Sequence, residues 1–462
     1  MSSVNRGGED SVIAIIGCGF SGTMVAVHLA RLAGTAPSRI VLVEKGPRFA
    51  RGLAYGSSCE RHLLNVPAGL MSALPDEPTH FLDWLQCRDP AAHAGSFAPR
   101  KLYGDYLESL LDSTARESGI PIEFLQDEVV DLRHRGDADS RILVRTAGSR
   151  LIVADGVVLA MGHQPPQDPI GMVQSTSTHR YVVDPWSTRP LHELGTDEPV
   201  ALIGSGLTAV DMVVEASERG HRGVIHAISR HGLLPNRHRP ATPRPHFELG
   251  NQRATARILL HSVRSEAARC EAEGGDWRSV VDGIRPVAQS LWRSLCGGER
   301  KRFVRHLASH WDVHRHRVAP EIDELLQSRL QDGRLVVVAG RVISWEERAD
   351  EMVLTVQRRG RAETETLAVG RVINCTGPAR DIRVGASKLM RSLLSNGMGR
   401  PGPLALGLDV ADSGALIEPG GRTNDRLFAI GPLLKEHLWE TTAVRELRCQ
   451  AAELARRLLA AE

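Results

Sequence analysis

The stretch SVIAIIGCGFSGTMVAVHLARLAG (residues 11–34) decides the fold class. An apolar run ends in the glycine turn Gly17-x-Gly19-x-x-Gly22, and a stretch with helical spacing follows directly. A second apolar run, RIVLVEKG (39–46), carries Glu44 near its end, 22 residues after Gly22. This combination of strand, glycine turn, helix, strand and acidic residue is the dinucleotide-binding fingerprint. The sequence therefore predicts a Rossmann-like βαβ unit at the N-terminus.

Each residue of this fingerprint has a separate physical role. Gly17 permits the tight turn, Gly19 lets a pyrophosphate approach the backbone, and Gly22 lets the helix pack closely on the strand. The N-terminus of the helix offers free N–H groups and partial positive charge to the phosphates. We expect the carboxylate of Glu44 to accept hydrogen bonds from the ribose hydroxyls of the bound nucleotide.

A second unit of the same kind begins near residue 199. The stretch PVALIGSGLTAVDMVVEASERG (199–220) contains Gly204-x-Gly206-x-x-Ala209 between an apolar run and a helical pattern. The next apolar run ends in Ser229-Arg230, where the first unit has Glu44. A guanidinium at this place suits a 2′-phosphate, so the second site is predicted to bind NADPH rather than NADH. A solvated arginine remains the alternative, because 52 of the 57 basic residues are arginines.

An internal similarity extends both units. Residues 122–163 and 334–377 each contain a strand, a polar-alternating meander and an apolar strand that ends in a glycine, Gly162 or Gly377. The predicted fold class is α/β, with two nested Rossmann-like dinucleotide-binding domains for FAD and NADPH, β-meanders and a helical insertion. The predicted boundaries are 1–185 and 371–462 for a split FAD domain, 186–249 and 331–370 for the NADPH domain, and 250–330 for the insertion.

Composition excludes several classes of protein. The net charge of +2 and the 4% of aromatic residues do not indicate a nucleic-acid-binding protein. No apolar run approaches the ~18–20 residues that a membrane-spanning helix needs. The seven cysteines are scattered, and no CxxC occurs, which argues against a disulfide framework, a zinc ribbon or a dithiol enzyme. We therefore expect a cytoplasmic protein without a metal site, whose oligomeric state the sequence does not indicate.

Several longer motifs resemble those of a known group of proteins. They are GCGFSG (17–22), GLAYG (52–56), LNVPA (64–68), GSGLTAVD (204–211), NCTGP (374–378) and WETTA (439–443). The chain resembles, over nearly its whole length, the bacterial FAD/NAD(P)-binding proteins that carry GxGFSG, GxAY, LNVPA and WETTA. Its architecture is similar to that of the flavin monooxygenases that hydroxylate amino groups. The sequence from Asp155 to His163 is close to their D-x3-L-A-T-G-Y pattern, and their assigned members include aspartate N-monooxygenases that yield nitrosuccinate.

The resemblance implies an FAD-dependent, NADPH-reduced monooxygenase. The expected reaction is N-hydroxylation of a small polar, amine-bearing metabolite or amino acid, with molecular oxygen as the other substrate. Two alternatives stay open: an FAD oxidase or dehydrogenase that inserts no oxygen, and a non-catalytic protein that senses flavin or NADPH. One departure is Pro432 after Gly431, where flavoproteins of this architecture often have an aspartate that binds the ribityl chain.

Three residues are predicted to act in catalysis: Asn65, Arg100 and Thr441. Asn65 would donate a hydrogen bond to flavin or substrate, although an Asn that stabilises its own turn is the alternative. Arg100 would clamp a substrate carboxylate, or else lie on the surface. Thr441 or Thr442 would cap a C-terminal helix whose N-terminus faces the flavin, and capping without flavin contact is the alternative. The run 314–317 is either a phosphate or substrate contact or a solvated basic turn.

The predicted cofactor-binding residues lie in or beside these motifs. They are Gly17, Gly19, Phe20, Ser21, Gly22, Glu44, Lys45, Tyr55, Asn65, Val129, Met161, Gly162, Gly204, Gly206, Leu207, Thr208, Ser229, Arg230, Thr376, Gly377, Gly431, Trp439, Thr441 and Thr442.

Overall fold

The computed structural model describes residues 11–32, 34, 37–136, 139–172, 180–186, 190–244 and 254–460. The N-terminal part contains, in chain order, β1 (Val12–Ile16), α1 (Phe20–Leu32), β2 (Arg39–Glu44), α2 (Gly52–Tyr55), α3 (His80–Gln86), α4 (Arg100–Glu117), β3 (Ile122–Gln126), β4 (Val129–Gly136), β5 (Asp139–Thr146), β6 (Leu151–Ala154) and β7 (Gly156–Leu159).

The middle of the chain alternates strands with a run of helices. Its elements are β8 (Tyr181–Val182), β9 (Val200–Ile203), α5 (Leu207–Glu218), β10 (Ile225–Ser229), α6 (Ala256–Ala272), α7 (Trp277–Ile284), α8 (Ala288–Ser294), α9 (Gly297–His306), α10 (Ala308–Arg315), α11 (Pro320–Gln331), β11 (Leu335–Glu347), β12 (Met352–Arg358), β13 (Thr364–Val369) and β14 (Arg371–Asn374). The C-terminal part adds α12 (Lys388–Ser395), β15 (Ala415–Ile417), β16 (Thr423–Ala429), α13 (Lys435–Leu438) and α14 (Val444–Ala460).

The chain divides into two compact units. The first comprises residues 1–58, 67–164 and 380–462, and the second comprises 59–66 and 165–379. None of the described helices is long and apolar enough to span a membrane.

The first unit is built on a largely parallel sheet of order β15-β16-β7-β1-β2-β3. β1 and β7 are buried at every position, as expected for parallel strands covered on both faces. The meander β4-β5-β6 forms its own sheet, and α12 packs against β4. The strand β7 then returns beside β1, so its carboxyl end lies next to the glycine turn. This is the strand, meander and return that the sequence predicts for residues 122–163.

The second unit repeats this plan in a sheet of order β13-β12-β11-β10-β9-β14-β8. β9 pairs in parallel with both β10 and β14, and the meander β11-β12-β13 continues the same sheet. The helices α6–α11 fall where the sequence predicts a helical insertion. Thr255 and Asp276 cap α6 and α7 with side-chain acceptors, which gives these helices defined starts. The predicted α/β class with two nested Rossmann-like domains is therefore confirmed.

The observed units differ from the boundaries drawn from sequence at three points. The strand β14, drawn into the first domain, pairs with β9 in the second sheet. Residues 165–185 also belong to the second unit, as does the short segment 59–66. An apolar strand carries no mark of the sheet that it joins, because the pairing is decided by residues far away in the chain.

A buried histidine makes the first unit sensitive to acid. Burial lowers the pKa of His28 in α1 to about 4; the charge of Asp76 opposes this shift, and the charges of Arg31 and Arg456 add to it. The unfolded chain binds this proton near pH 6.5, so stability is present above that pH and falls as the pH drops towards 4. Over this window we expect a loss of about 3 kcal/mol.

His28→Leu should remove most of this loss, and His93→Leu, at an exposed position in the same unit, should not. Urea unfolding of both variants at pH 7 and pH 5 measures the difference. An unchanged pH dependence in His28→Leu would show that other groups cause the acid sensitivity.

Candidate functional site

The first glycine turn lies at the carboxyl end of β1 and has the geometry that its motif predicts. Gly17 has φ +97°, and a Cβ there would lie 2.5 Å from the carbonyl oxygen of Ala160. A Cβ on Gly22 would lie 1.9 Å from the carbonyl oxygen of Gly17. Gly19 differs, since its Cβ would have only the Cα of Gly52 nearby, at 3.5 Å. The turn is closed on two sides and open at Gly19, which suits a ligand that approaches the backbone.

Glu44 is fixed beside this turn. Its carboxylate accepts hydrogen bonds from the backbone N–H of Cys18 at 2.7 Å and of Gly46 at 2.8 Å. Each carboxylate oxygen keeps a further lone pair for a ribose hydroxyl. Lys45 next to it is exposed. The geometry fits the predicted ribose contact of Glu44.

Other predicted residues of the first unit meet at the same edge of the sheet. Met161 and Gly162 follow β7, and Gly431 follows β16, which pairs with β7. A Cβ on Gly431 would lie 3.0 Å from the hydroxyl oxygen of Ser21. Val129 begins β4, near the carboxyl ends of β2 and β3. Residues from four distant parts of the sequence therefore lie along one edge, where α/β sheets bind their ligands.

Arg51 is a residue of this site that the sequence reasoning missed. It is 3% exposed and forms ion pairs with Asp105 and Glu108 of α4. It precedes Gly52, whose backbone abuts Gly19, so these ion pairs hold α2 against the glycine turn. The signal in the sequence is the spacing of the two acids, three residues apart, which places both on one face of α4.

Replacing Arg51 by methionine should cost about 2–3 kcal/mol of stability and loosen the glycine turn, because two carboxylates lose a buried partner. Arg48→Met is a matched control, since Arg48 also contacts Glu108 but is exposed, and should cost less than about 0.5 kcal/mol. Thermal unfolding with and without added FAD measures both effects. Equal destabilisation by the two variants would contradict a special role for Arg51.

Aromatic side chains pack behind the turn. Tyr103 lies 6.4 Å from Phe20 and 4.7 Å from Tyr55, measured between ring centroids. Its hydroxyl donates to the carbonyl of Met71 at 2.8 Å. Burial raises the pKa of Tyr55 above its ordinary range, and Arg100 is close enough to oppose this shift. Arg100 therefore lies near Tyr55 at the start of α4.

The WETTA segment corrects one prediction. The C-terminal helix begins at Val444, and the carbonyl of Ala443 accepts the first helical hydrogen bond, so neither threonine caps it. The Thr441 hydroxyl instead donates to the carbonyl of Gly431 at 3.0 Å. Thr441 thus ties this segment to the end of β16, and Thr442 is half-buried.

Trp439 in the same segment has an unusual backbone. Its φ is +60°, a value that an aromatic residue rarely adopts, and Lys435 lies 4.8 Å from the ring centroid. Such strain clusters at ligand sites. Nearby, enclosure by protein lowers the pKa of His163 to about 4, and the charge of Lys435 adds to this effect. The His163 side chain is nevertheless exposed to solvent.

The second glycine turn repeats the first. Gly204 has φ +119°, and its Cβ would lie 2.3 Å from the carbonyl oxygen of Cys375. Gly206 is exposed, and in the described part of the chain a Cβ there would meet nothing within 4 Å. Leu207 and Thr208 open α5 directly behind it. This turn is also closed on the side of the sheet and open towards a ligand.

The remaining predicted residues of the second unit lie at the ends of neighbouring strands. Thr376 and Gly377 follow β14, and the Thr376 hydroxyl donates to the side chain of Asn374 at 2.7 Å. The Ser229 hydroxyl accepts hydrogen bonds from the Ser205 hydroxyl and the Gly232 N–H, so it stabilises the turn after β10. Arg230 is exposed, and its guanidinium lies 3.5 Å from the Ser309 hydroxyl.

Asn65 lies in the short segment 59–66 of the second unit. The ring of His62 contacts the carbonyl of Asp211 in α5 at 3.0 Å and packs against Trp186. This anchors the LNVPA motif to the GSGLTAVD helix. Within the described part of the chain, the Asn65 side chain makes no hydrogen bond, so its amide is available to a ligand.

Two residues of the basic run 314–317 have a structural role. The guanidinium of Arg317 forms two hydrogen bonds with Asp282, at 3.1 and 2.6 Å. The ring of His314 packs edge-on against Trp277. Both residues therefore join helices of the second unit to one another.

The described residues form neither a candidate metal site nor a disulfide. No group of three or more potential metal ligands occurs among the described residues. The seven cysteines are free, and burial raises the pKa of Cys18, inside the first glycine turn, to about 12. A thiol of this kind is protonated and unreactive at neutral pH.

Comparisons with known proteins agree with this architecture. Residues 14–164 match the family model described as FAD-NAD(P)-binding. Curated proteins give no match. Among solved structures, the ornithine N-hydroxylase of Kutzneria sp. 744, in a complex with reduced FAD, NADP+ and L-ornithine, is 16% identical with a TM-score of 0.65, and the alignment covers 98% of this chain and 100% of that chain.

Two further structures are similar over the same length. L-lysine 6-monooxygenase from Pseudomonas syringae is 17% identical, with a TM-score of 0.66 and coverage of 98% and 100%. The cadaverine monooxygenase of Erwinia amylovora, bound to FAD, is 13% identical, with a TM-score of 0.62 and coverage of 98% and 95%. The predicted resemblance is confirmed at the level of the fold: the chain is folded like the amine-hydroxylating flavin monooxygenases, and residues 14–164 match an FAD-NAD(P)-binding domain.

Proposed function

We propose that the protein is an FAD-dependent, NADPH-reduced monooxygenase that N-hydroxylates a small polar, amine-bearing metabolite or amino acid. The observation that carries the proposal is the pair of open glycine turns, one in each unit, on a fold that runs the full length of ornithine, lysine and cadaverine hydroxylases. Two dinucleotide sites are what a reductive flavin enzyme needs.

The first unit would hold FAD. The backbone around Gly19 would receive the pyrophosphate, and Glu44 would bind the adenosine ribose. The chemistry that FAD supplies when bound is acceptance of hydride from NADPH and transfer of the electrons to molecular oxygen. The second unit would hold NADPH at the turn from Gly204 to Gly206.

Three side chains of the protein would help to bind or position the substrate. Asn65 would donate its free amide hydrogen to substrate or flavin, and Arg100 would orient a substrate carboxylate. Thr441 would position the segment that carries Trp439. Such groups orient the substrate and exclude water, which suits chemistry that the cofactor carries.

The cellular setting belongs to the same proposal. We expect the reaction to take place in the cytoplasm, with a small molecule and oxygen as partners and without nucleic acid. The free thiols and the net charge of +2 support these expectations.

Anaerobic mixing of the purified FAD-loaded protein with NADPH tests the proposal. We expect loss of the long-wavelength flavin absorbance, followed by its recovery when oxygen and an amine substrate are added. Incorporation of label from ¹⁸O₂ into the product separates a monooxygenase from an oxidase or dehydrogenase. An oxidised spectrum that NADPH does not change would overturn the proposal and favour a sensor.

A further inference from the structure

Four basic side chains meet at the carboxyl edge of the second sheet. Arg230 and His231 follow β10 directly, and His310 lies on α10. Arg359 lies in the turn after β12, where its backbone N–H donates to the carbonyl of Ala339 at 2.7 Å. Ala339 is the partner of Ser229 in the pairing of β10 with β11, so Arg359 reaches the end of β10. We call Arg230, His231, His310 and Arg359 the edge cluster.

Direct contacts hold the edge cluster together. The guanidinium of Arg359 donates to Nδ1 of His231 at 3.0 Å. The rings of His231 and His310 have their centroids 5.2 Å apart. Burial lowers the pKa of His231, and the neighbouring Arg359, His310 and Arg230 lower it further, which indicates that each of them lies close to this ring.

The edge cluster has no opposite charge beside it among the described residues. Within the described ranges, none of the four side chains has a carboxylate at ion-pair distance, whereas the adjacent Arg358 pairs with Glu365 at 2.9 Å. The guanidinium groups of Arg230 and Arg359 both act on the ring of His231, and two like charges on one ring repel one another. An anion bound between them would remove that repulsion and accept charge-assisted hydrogen bonds.

The position of the edge cluster indicates which anion it binds. The N–H of Gly204 donates to the carbonyl of Ile228 at 2.7 Å, so the second glycine turn lies beside the end of β10. In a Rossmann-like unit, the end of this second strand faces the adenosine ribose. A ribose that carries a 2′-phosphate would present a dianion at this place.

We propose that the edge cluster is the recognition site for the 2′-phosphate of NADPH, with His310 supplied by the helical segment and Arg359 by the β-meander. The proposal rests on the proposed function, which makes NADPH the reductant, and goes beyond the role predicted for Arg230 alone. It gives the helical segment α6–α11 a part in coenzyme choice, because α10 brings His310 and Ser309 to the site.

Binding of adenosine 2′,5′-bisphosphate and of 5′-AMP, measured by calorimetry at constant ionic strength, tests the edge cluster without any flavin chemistry. His310→Asn and Arg359→Ala should each weaken binding of the bisphosphate about tenfold and leave binding of 5′-AMP unchanged. Arg358→Ala, at the adjacent end of β12, is the matched control and should change neither affinity.

Two results would overturn the inference. One is equal affinity of the wild-type protein and both variants for the bisphosphate. The other is a preference for the bisphosphate over 5′-AMP that Arg230→Ala abolishes but His310→Asn and Arg359→Ala leave intact. The rates of flavin reduction by NADPH and NADH keep the two proposals apart. A protein that binds the bisphosphate through the edge cluster but is reduced by neither coenzyme would overturn the proposed function and leave this inference standing.

Discussion

Gly19→Ala is expected to weaken FAD binding about a hundredfold while the first unit stays folded, a change of roughly 3 kcal/mol. The added methyl group would meet only the Cα of Gly52, at an ordinary contact distance of 3.5 Å. It would, however, occupy the face through which the pyrophosphate must approach the backbone. Fluorescence titration of the apoprotein with FAD gives the affinity, and thermal unfolding of the apoprotein gives the stability.

Two companion variants make the Gly19→Ala result specific. Gly22→Ala should lose both FAD and stability, because its methyl group would collide with the carbonyl of Gly17. Gly34→Ala, with no atom of the described residues within 4 Å, should change neither. Unaltered FAD affinity in Gly19→Ala would mean that the turn after β1 does not bind the pyrophosphate.

The parts of the fold that were predictable are those where a local motif forces one backbone geometry. The two glycine turns, their helices and the returning strands follow from residues that are adjacent in sequence, such as Gly17 to Gly22. The helical segment was predictable from its helical spacing. In each case the residues that decide the structure lie close together in the sequence.

The parts that were not predictable depend on pairs that are distant in sequence. Arg51 finds Asp105 and Glu108 across 54 and 57 residues, and nothing near Arg51 marks it as buried. Arg359 reaches His231 across 128 residues, which is why the sequence could assign the 2′-phosphate to Arg230 but not to Arg359. Thr441 was expected to cap a helix because of its position, but the carbonyl of Gly431 offers its hydroxyl a buried partner instead.

Gly206→Ala is expected to slow reduction of bound FAD by NADPH at least about a hundredfold without loss of FAD, since the methyl group would fill space that only a ligand enters. A Cβ at Gly206 would meet no atom of the described residues within 4 Å, and the backbone is extended, so alanine is tolerated. Anaerobic stopped-flow absorbance measures the rate, and photochemical reduction verifies that the flavin remains competent.

Variants at two other glycines of the second unit serve as comparisons for this loss of rate. Gly204→Ala should also lose NADPH, but together with stability, since its methyl group would lie 2.3 Å from the carbonyl of Cys375 and its φ is +119°. Gly298→Ala, at an open position of α9 in the same unit, should reduce at the wild-type rate. If Gly206→Ala also reduces at that rate, the second turn does not carry NADPH. Gly19→Ala and Gly206→Ala each act on one turn. If Gly19→Ala weakens FAD binding, and Gly206→Ala keeps FAD but slows its reduction by NADPH, each unit binds one of the two nucleotides.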